Sequence, residues 1–221
     1  MKLISSPREM QREALRLKRG GKKIALVPTM GALHEGHLSL VRLARRRTDV
    51  VVMSIYVNPT QFGPKEDFQR YPRPWKEDCR LAREAGVTHL FAPRELYAAD
   101  ASTWVEETTF SQGRCGAFRP GHFRGVTTVV MILFQLVQPD WAVFGQKDAQ
   151  QCDVIERMIR DLHLPIKMLR APIVRNRQGL ALSSRNRYLS PEGLKTALKL
   201  SESLKRAAAR GGERGRSCCG I

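Results

Sequence analysis

Apolar residues recur along this 221-residue chain with two spacings. The runs Ile24-Ala25-Leu26-Val27 and Val50-Val51-Val52-Met53-Ser54-Ile55-Tyr56-Val57 read as strands, the second nearly continuous, as expected of a central parallel strand covered on both faces. Helical spacing appears first at Met10, Ala14 and Leu17. These follow Ser6-Pro7-Arg8-Glu9, a capping box with proline at the first helical position. Further helical patterns cover about 38–44, ending in Arg45-Arg46-Arg47, then 75–85 up to Gly86, 123–136, 149–162 and 191–210. Short strands fall at 89–92 and 141–144. This rhythm predicts an α/β protein, a doubly wound Rossmann-like parallel sheet whose ligands bind beyond the carboxyl ends of the strands.

The segment between the first long strand and the helix after it is the most informative: Pro28-Thr29-Met30-Gly31-Ala32-Leu33-His34-Glu35-Gly36-His37. Gly31 and Gly36 let backbone approach a ligand closely, the helix start aims unpaired N–H groups at an anion, and each imidazole can donate a hydrogen bond. A strand, a tight turn and a helix start in this order suit phosphates. Two histidines three apart also fit a surface pair or a metal site, although no cysteine pair or further histidine cluster nearby completes one.

Composition changes the picture in two places. The formal net charge of +17 suits a nucleic-acid binder, but the charge is spread. Residues 1–23 hold eight basic and two acidic side chains, and the arginine triplet ends a helix, where it complements the dipole. No nucleic-acid motif is recognised, and the surplus suits steering of anionic substrates. Five cysteines without C-x-x-C spacing fit a reducing compartment; Cys79 and Cys152 fall at core positions of helices. No secretory segment opens the chain and the stretch 126–137 is too short to span a bilayer, so a cytoplasmic protein is expected.

Other polar residues offer chemistry near strand ends. Lys147 is a compact positive charge; Ser183, Ser184 and Arg185 combine hydroxyls with a cationic fork; Gln61 and Gln151 are carboxamides suited to a small polar acid. Each has a plainer reading, Lys147 with Asp148 as a surface ion pair, Gln150-Gln151 as a solvated helix face, the serines as turn or cap residues.

Five stretches in order bring a family into view. Besides the 28–37 string they are Tyr56-Val57-Asn58-Pro59-Thr60-Gln61-Phe62, Tyr71-Pro72-Arg73, Arg119-Pro120-Gly121-His122-Phe123-Arg124-Gly125-Val126, Phe144-Gly145-Gln146-Lys147-Asp148-Ala149-Gln150-Gln151 and Leu182-Ser183-Ser184-Arg185-Asn186. His34-x-Gly36-His37 resembles the signature of the nucleotidyltransferase superfamily that includes class I aminoacyl-tRNA synthetases. The whole set is similar to the pantothenate synthetase (pantoate–beta-alanine ligase) family, over residues 1 to about 209.

The resemblance implies a two-step reaction: pantoate and ATP give pantoyl adenylate and pyrophosphate, and the amine of beta-alanine then displaces AMP to give pantothenate. It implies an ATP-binding turn at Met30, Gly31, Ala32, Leu33, His34, Glu35, Gly36 and His37, with His37 as the proton donor. A second nucleotide stretch falls at Gly145, Gln146, Lys147 and Asp148, a third at Leu182, Ser183, Ser184 and Arg185, and a backbone contact to adenine at Val174. Gln61 and Gln151 would hold pantoate and beta-alanine, and His34, His37, Lys147 and Arg185 would form the catalytic set. Magnesium (Mg2+) would bridge the phosphates near Glu77 and Asp78, Asp78 being the metal ligand. The implied partners are these small molecules and a second copy in a homodimer, with no nucleic acid and no membrane.

The expected organisation is a nucleotide- and pantoate-binding domain at 1–175, the serine–arginine loop and the start of a C-terminal domain at 176–210, and a disordered Gly/Arg tail at 211–221. The family's smaller covering domain is expected to be largely absent, through a truncated or shifted reading frame, so that turnover is poor while nucleotide binding persists. Two alternatives are a related adenylyltransferase acting on another small metabolite, and a basic nucleic-acid-binding module.

Overall fold

The computed structural model describes the backbone of residues 1–217 and the side chains of residues 1–209. It divides into two compact units, Met1–Pro172 and a second that begins at Ile173.

The first unit holds six strands, β1 (Lys2–Ile4), β2 (Ile24–Thr29), β3 (Val50–Ile55), β4 (His89–Phe91), β5 (Trp141–Gly145) and β6 (Lys167–Ala171). Their order is β1-β4-β3-β2-β5-β6 and every neighbouring pair is parallel. The helices are α1 (Pro7–Arg19), α2 (Glu35–Arg45), α3 (Trp75–Ala85), α4 (Arg114–Phe118), α5 (His122–Val137) and α6 (Ala149–Asp161). This is the doubly wound α/β sheet that the hydrophobic pattern predicts. Edge strands β1 and β6 and the one-turn α4 have no counterpart in that pattern: only Ile4 of β1 and only Ala171 of β6 are buried.

Successive strand residues point to opposite faces, and both faces are covered. Ile24, Leu26, Val50 and Val52 pack with Met10 and Leu17 of α1, Val130 and Phe134 of α5 and Ile155 of α6. Ala25, Val27, Val51 and Met53 pack with Leu40 and Val41 of α2 and Ala82 of α3. Each such side chain contributes roughly 1.5–3 kcal/mol on full burial, which is why β2 and β3 read as unbroken apolar runs. Cys152 is fully buried among them, its thiol pushed up to about 11 by burial.

Helix ends follow their local chemistry. Ser6 Oγ accepts from the Glu9 N–H at 3.4 Å with Pro7 beginning α1, and α2 ends at Arg46 with Arg42 and Arg45 in its last turn. Strand β2 runs on through Pro28 to Thr29, whereas β5 pairs with it only at Ala25 and Leu26. Strands β2 and β5 therefore part just before the segment that leaves β2. That opening lies where the connections turn to opposite sides of the sheet.

The second unit contains an antiparallel bridge between Arg175 and Ala181, a turn closed on Asn176, a 3-10 helix at Ser184–Tyr188 and α7 (Pro191–Ser217). Helix α7 runs on from Arg210 to Ser217, within the stretch expected as a tail. Gly211 and Gly212 each lower helix propensity by about 1 kcal/mol, but no proline interrupts the segment and Ala207-Ala208-Ala209 leads into it. The rest of that expected tail, 218–221, lies outside the described residues. Among the described residues no helix is long and apolar enough to cross a membrane.

Candidate active site

The turn after β2 is built by the backbone and braced by two side chains. Gly31 has φ +82° and Ala32 φ +49°, so the chain reverses through the left-handed region over two residues. A Cβ on Gly31 would lie 2.9 Å from Asp78 Oδ2 and 3.1 Å from Ile55 Cγ2. Asp78, in the first turn of α3 and 1% exposed, accepts the Ala32 N–H on Oδ2 at 2.9 Å and the Leu33 N–H on Oδ1 at 2.7 Å. On the other side Thr29 Oγ1 accepts the Gly31 N–H at 3.2 Å and donates to the Ser54 carbonyl at 2.7 Å.

This geometry gives the Asp78 carboxylate a bracing role in the turn. Both oxygens of Asp78 hold amides of the turn, and its neighbour Glu77 binds Arg80 at 2.6 Å on the exposed face of α3. The pair reads as charged helix surface in sequence, but packing points one carboxylate inward and the other out.

At the start of α2 the two histidines cap the helix they open. His34 Nδ1 accepts the Gly36 N–H at 3.1 Å, and His37 Nδ1 accepts the His34 N–H at 3.3 Å. A neutral imidazole whose Nδ1 accepts carries its proton on Nε2, so the capping assigns this tautomer to both rings. Their centroids are 4.1 Å apart. Burial pushes the His37 imidazole down to about 3, and the charges of His34 and Lys147 oppose its protonation further. At neutral pH His37 is thus a hydrogen-bond donor rather than an imidazolium acid.

Gln61 reaches this turn from the loop after β3. Its Nε2 contacts Met30 Sδ at 3.4 Å and its Oε1 accepts from Asn58 Nδ2 at 3.1 Å. Asn58, 1% exposed, also donates to the Gly125 carbonyl and accepts from Tyr97 Oη, so the loop is locked onto α5. Gly125 makes the approach possible: a Cβ there would fall 2.4 Å from the Thr60 carbonyl oxygen. His122 Nε2 faces Arg119 Nη1 at 3.0 Å and therefore accepts, leaving Nδ1–H to donate to the Gln61 carbonyl at 2.8 Å. Arg119 forms a bidentate pair with Glu66, both bonds 2.6 Å, which holds the Glu66 carboxyl below its usual range. The supports of Gln61 are what sequence reasoning missed. His122 and Glu66 lie 61 and 53 residues from their partners, and only the motif membership of Asn58, Arg119 and His122 hinted at them.

Across β2, Gln146, Lys147 and Asp148 form one 3-10 turn after Gly145 at the end of β5. Lys147 Nζ lies 3.2 Å from Asp148, the ion pair of the plainer reading, yet it is near enough to His37 to act on its charge. The adjacent glutamines differ. Gln150 is buried, accepting from the Cys115 N–H and donating to the Phe110 carbonyl, whereas the side chain of Gln151 makes no hydrogen bond among the described residues. The first unit therefore brings Met30–His37, Gln61 and Lys147 together, with Gln151 in the first turn of α6. Val174, Leu182, Ser183, Ser184 and Arg185 belong to the second unit. There Leu182 N–H donates to the Val174 carbonyl at 2.9 Å and Ser183 Oγ caps the 3-10 helix at Arg185 N.

The family model for pantoate-beta-alanine ligase matches residues 2–218. The pantothenate synthetase of Thermotoga petrophila is 55% identical over 207 residues, covering 93% of this chain and 74% of that protein. The chain belongs to the pantoate-beta-alanine ligase family. The pantothenate synthetase of Heliobacterium modesticaldum is 56% identical over 218 residues, 97% of this chain and 78% of its own. Among solved structures, the pantothenate synthetase of Thermus thermophilus superposes with a TM-score of 0.90 at 47% identity, covering 96% of this chain and 77% of that one. The pantoate-beta-alanine ligase of Francisella tularensis, complexed with beta-gamma ATP and beta-alanine, gives 0.87 at 36% identity over 93% of this chain and 79% of that one. Membership in a ligase family displaces both alternative readings, the other adenylyltransferase and the nucleic-acid module.

Proposed function

We propose that this chain joins pantoate to beta-alanine at the expense of ATP, through pantoyl adenylate. The observation that carries the reading is the capped histidine pair opening α2, with Gln61 bonded to Met30 on one side and Lys147 acting on His37 from the other. Family membership supports the reaction class, and the Francisella tularensis ligase supports ATP and beta-alanine as substrates.

In the first step a carboxylate oxygen of pantoate attacks the α-phosphorus and pyrophosphate departs with the electrons of the broken P–O bond. Catalysis of this kind is alignment and neutralisation of charge growing on oxygen. The Nε2–H groups of His34 and His37, the amides at the start of α2 and the ammonium of Lys147 would serve that charge. Gln61 and Gln151 would hold the acid. In the second step the amine of beta-alanine attacks the adenylate carbonyl carbon, the C–O bond to AMP breaks, and the nitrogen loses a proton.

Assignment of Val174, Leu182, Ser183, Ser184 and Arg185 to the nucleotide rests on the sequence match alone. Magnesium enters only as the counter-ion ATP brings. Among the described residues no three His, Cys, Asp or Glu side chains form a cation cage and Asp78 is bound to amides, so no residue is assigned to the ion and no step runs through it. A homodimer and a cytoplasmic setting belong to the same reading, supported by the family resemblance and by the free thiols of Cys79, Cys115 and Cys152.

The test is release of pyrophosphate from ATP, measured with and without pantoate and beta-alanine. Release that requires pantoate but not beta-alanine, followed by AMP formation when beta-alanine is added, is expected. Release indifferent to pantoate overturns the proposal.

A further inference from the structure

Gln150, in the first turn of α6, has no task in the proposed reaction, yet it is held more firmly than its neighbour Gln151. Its Oε1 accepts the Cys115 N–H at 2.9 Å, and its Nε2 donates to the Phe110 carbonyl at 2.9 Å and the Gly113 carbonyl at 3.1 Å. The partners fix which end of the carboxamide is which, and a primary amide meets both demands at once. A carboxylate of the same shape would set an oxygen against two carbonyls. An apolar side chain would leave the Cys115 N–H without this acceptor.

The segment that Gln150 grips is braced from within. Glu107, itself buried, accepts the N–H groups of Thr109, Phe110 and Ser111. The Ser111 carbonyl lies so close to Gly116 that a Cβ there would run into it. Helix α4 then leads into Arg119, whose N–H donates to the Gly116 carbonyl, and into His122, whose N–H donates to the Arg119 carbonyl. At the far end His122 Nδ1–H donates to the Gln61 carbonyl at 2.8 Å. Residues 107–122 thus form a strap that ends on Gln61 and is clamped in its middle by Gln150. Arg114 with Asp153, and Arg157 over the Phe110 ring, tie it to α6 nearer the surface, where water competes.

We propose that Gln150 is a positioning residue: it sets the spacing between Gln61, at the end of the strap, and Gln151, the next residue of α6, and so governs the grip on pantoate. The inference rests on the proposed ligase reading, in which those two carboxamides hold the acid. Gln150 itself touches the strap and not the acid. Consecutive residues of a helix point about 100° apart, so one turn of α6 serves the strap with one glutamine and the acid with the other. Adjacent glutamines that look alike in sequence have separate tasks.

The experiment begins with the unaltered chain and its pantoate-dependent pyrophosphate release without beta-alanine. Absence of that release refutes the ligase reading itself, an outcome distinct from failure of the positioning role. Given release, Gln150→Leu and Gln150→Glu are expected to raise the KM for pantoate about tenfold while leaving the KM for ATP unchanged. A protonated glutamic acid regains one donor and keeps one acceptor, so in Gln150→Glu the KM, taken relative to the unaltered chain at the same pH, should fall back as the pH is lowered, and in Gln150→Leu it should not. His122→Phe cuts the same strap at its other end, so the double variant with Gln150→Leu should exceed the larger single effect only slightly, where independent sites would multiply to about a hundredfold. Equal rises for ATP and pantoate, a loss confined to kcat, an unchanged KM for pantoate, no recovery of Gln150→Glu at low pH, or full multiplication in the double variant overturns the positioning role.

Discussion

His37 Nδ1 accepts the backbone N–H of His34 at 3.3 Å, so the residue that caps the helix start also fixes the proton on its own outer nitrogen. Burial pushes this imidazole from the ordinary 6.5 down to about 3, with Lys147 among the charges that oppose protonation. Nitrogen NMR of the histidine rings is therefore expected to find His37 as the neutral Nε2–H tautomer at pH 5, where an ordinary histidine is charged. Since the unfolded chain binds that proton near 6.5 and the folded chain only near 3, stability from this group is complete above about 6.5 and declines as pH falls toward 3. Lys147→Gln removes one opposing charge and is expected to raise the His37 midpoint while leaving it below 6.5, because burial is the larger cause. An imidazolium at pH 5 in the unaltered chain contradicts this account.

Asp78 separates two roles that its sequence position does not. If its oxygens brace the turn, Asp78→Asn keeps one acceptor for the Ala32 and Leu33 amides and Asp78→Ala keeps none. Leaving a buried N–H without a partner costs about 1–3 kcal/mol, so denaturant midpoints should fall in the order wild type, Asn, Ala. Pyrophosphate release should fall with them, and excess magnesium should restore neither. Rescue of Asp78→Asn by magnesium would return the residue to the metal.

Gly125 is the point of closest approach between α5 and the loop that carries Gln61. A methyl group there meets backbone, the Thr60 carbonyl at 2.4 Å, and cannot be relieved by turning a side chain. Gly125→Ala is expected to lose about 1–3 kcal/mol of stability by overpacking and to raise the KM for pantoate more than that for ATP, since the displaced segment bears Gln61. Equal effects on both substrates would detach Gln61 from pantoate.

These supports explain what could be read from the chain alone. Residues 28–37 were legible because a strand, two glycines and a helix start are local signals, and the βαβ rhythm was legible because β2 and β3 are apolar on both faces. Asp78 was not, because Trp75-Lys76-Glu77-Asp78 has the acidic first turn of any surface helix, and only amides 45 and 46 residues away make its carboxylate a buried brace. The tautomer of His122 is hidden for the same reason: it depends on Arg119 one turn before it and on a carbonyl 61 residues away. Edge strands β1 and β6 lacked a signal because they have one partner each and little buried surface.

At the amino ends of the strands, Glu13 of α1 gathers a cluster that the chemistry does not use. It is 9% exposed and accepts from Arg16 Nη2 at 2.7 Å and Lys2 Nζ at 3.2 Å, with His89 Nε2 at 3.3 Å. The Arg16 hydrogen bond leads the causes that hold its carboxyl at about 2 against the ordinary 4.5, with Lys2 and His89 adding to it against burial. Between those two values the unfolded chain binds the proton and the folded chain does not, so stability rises with pH there. The contribution is present above about 4.5 and is lost as pH falls toward 2. Glu13→Gln removes the titrating group, so the variant should be less stable than the unaltered chain at pH 7 and the gap should close as the pH approaches 2. Urea unfolding across that range reads the gap directly. A gap that stays constant from pH 7 to pH 2 would mean the Glu13 cluster acts through packing and not through charge.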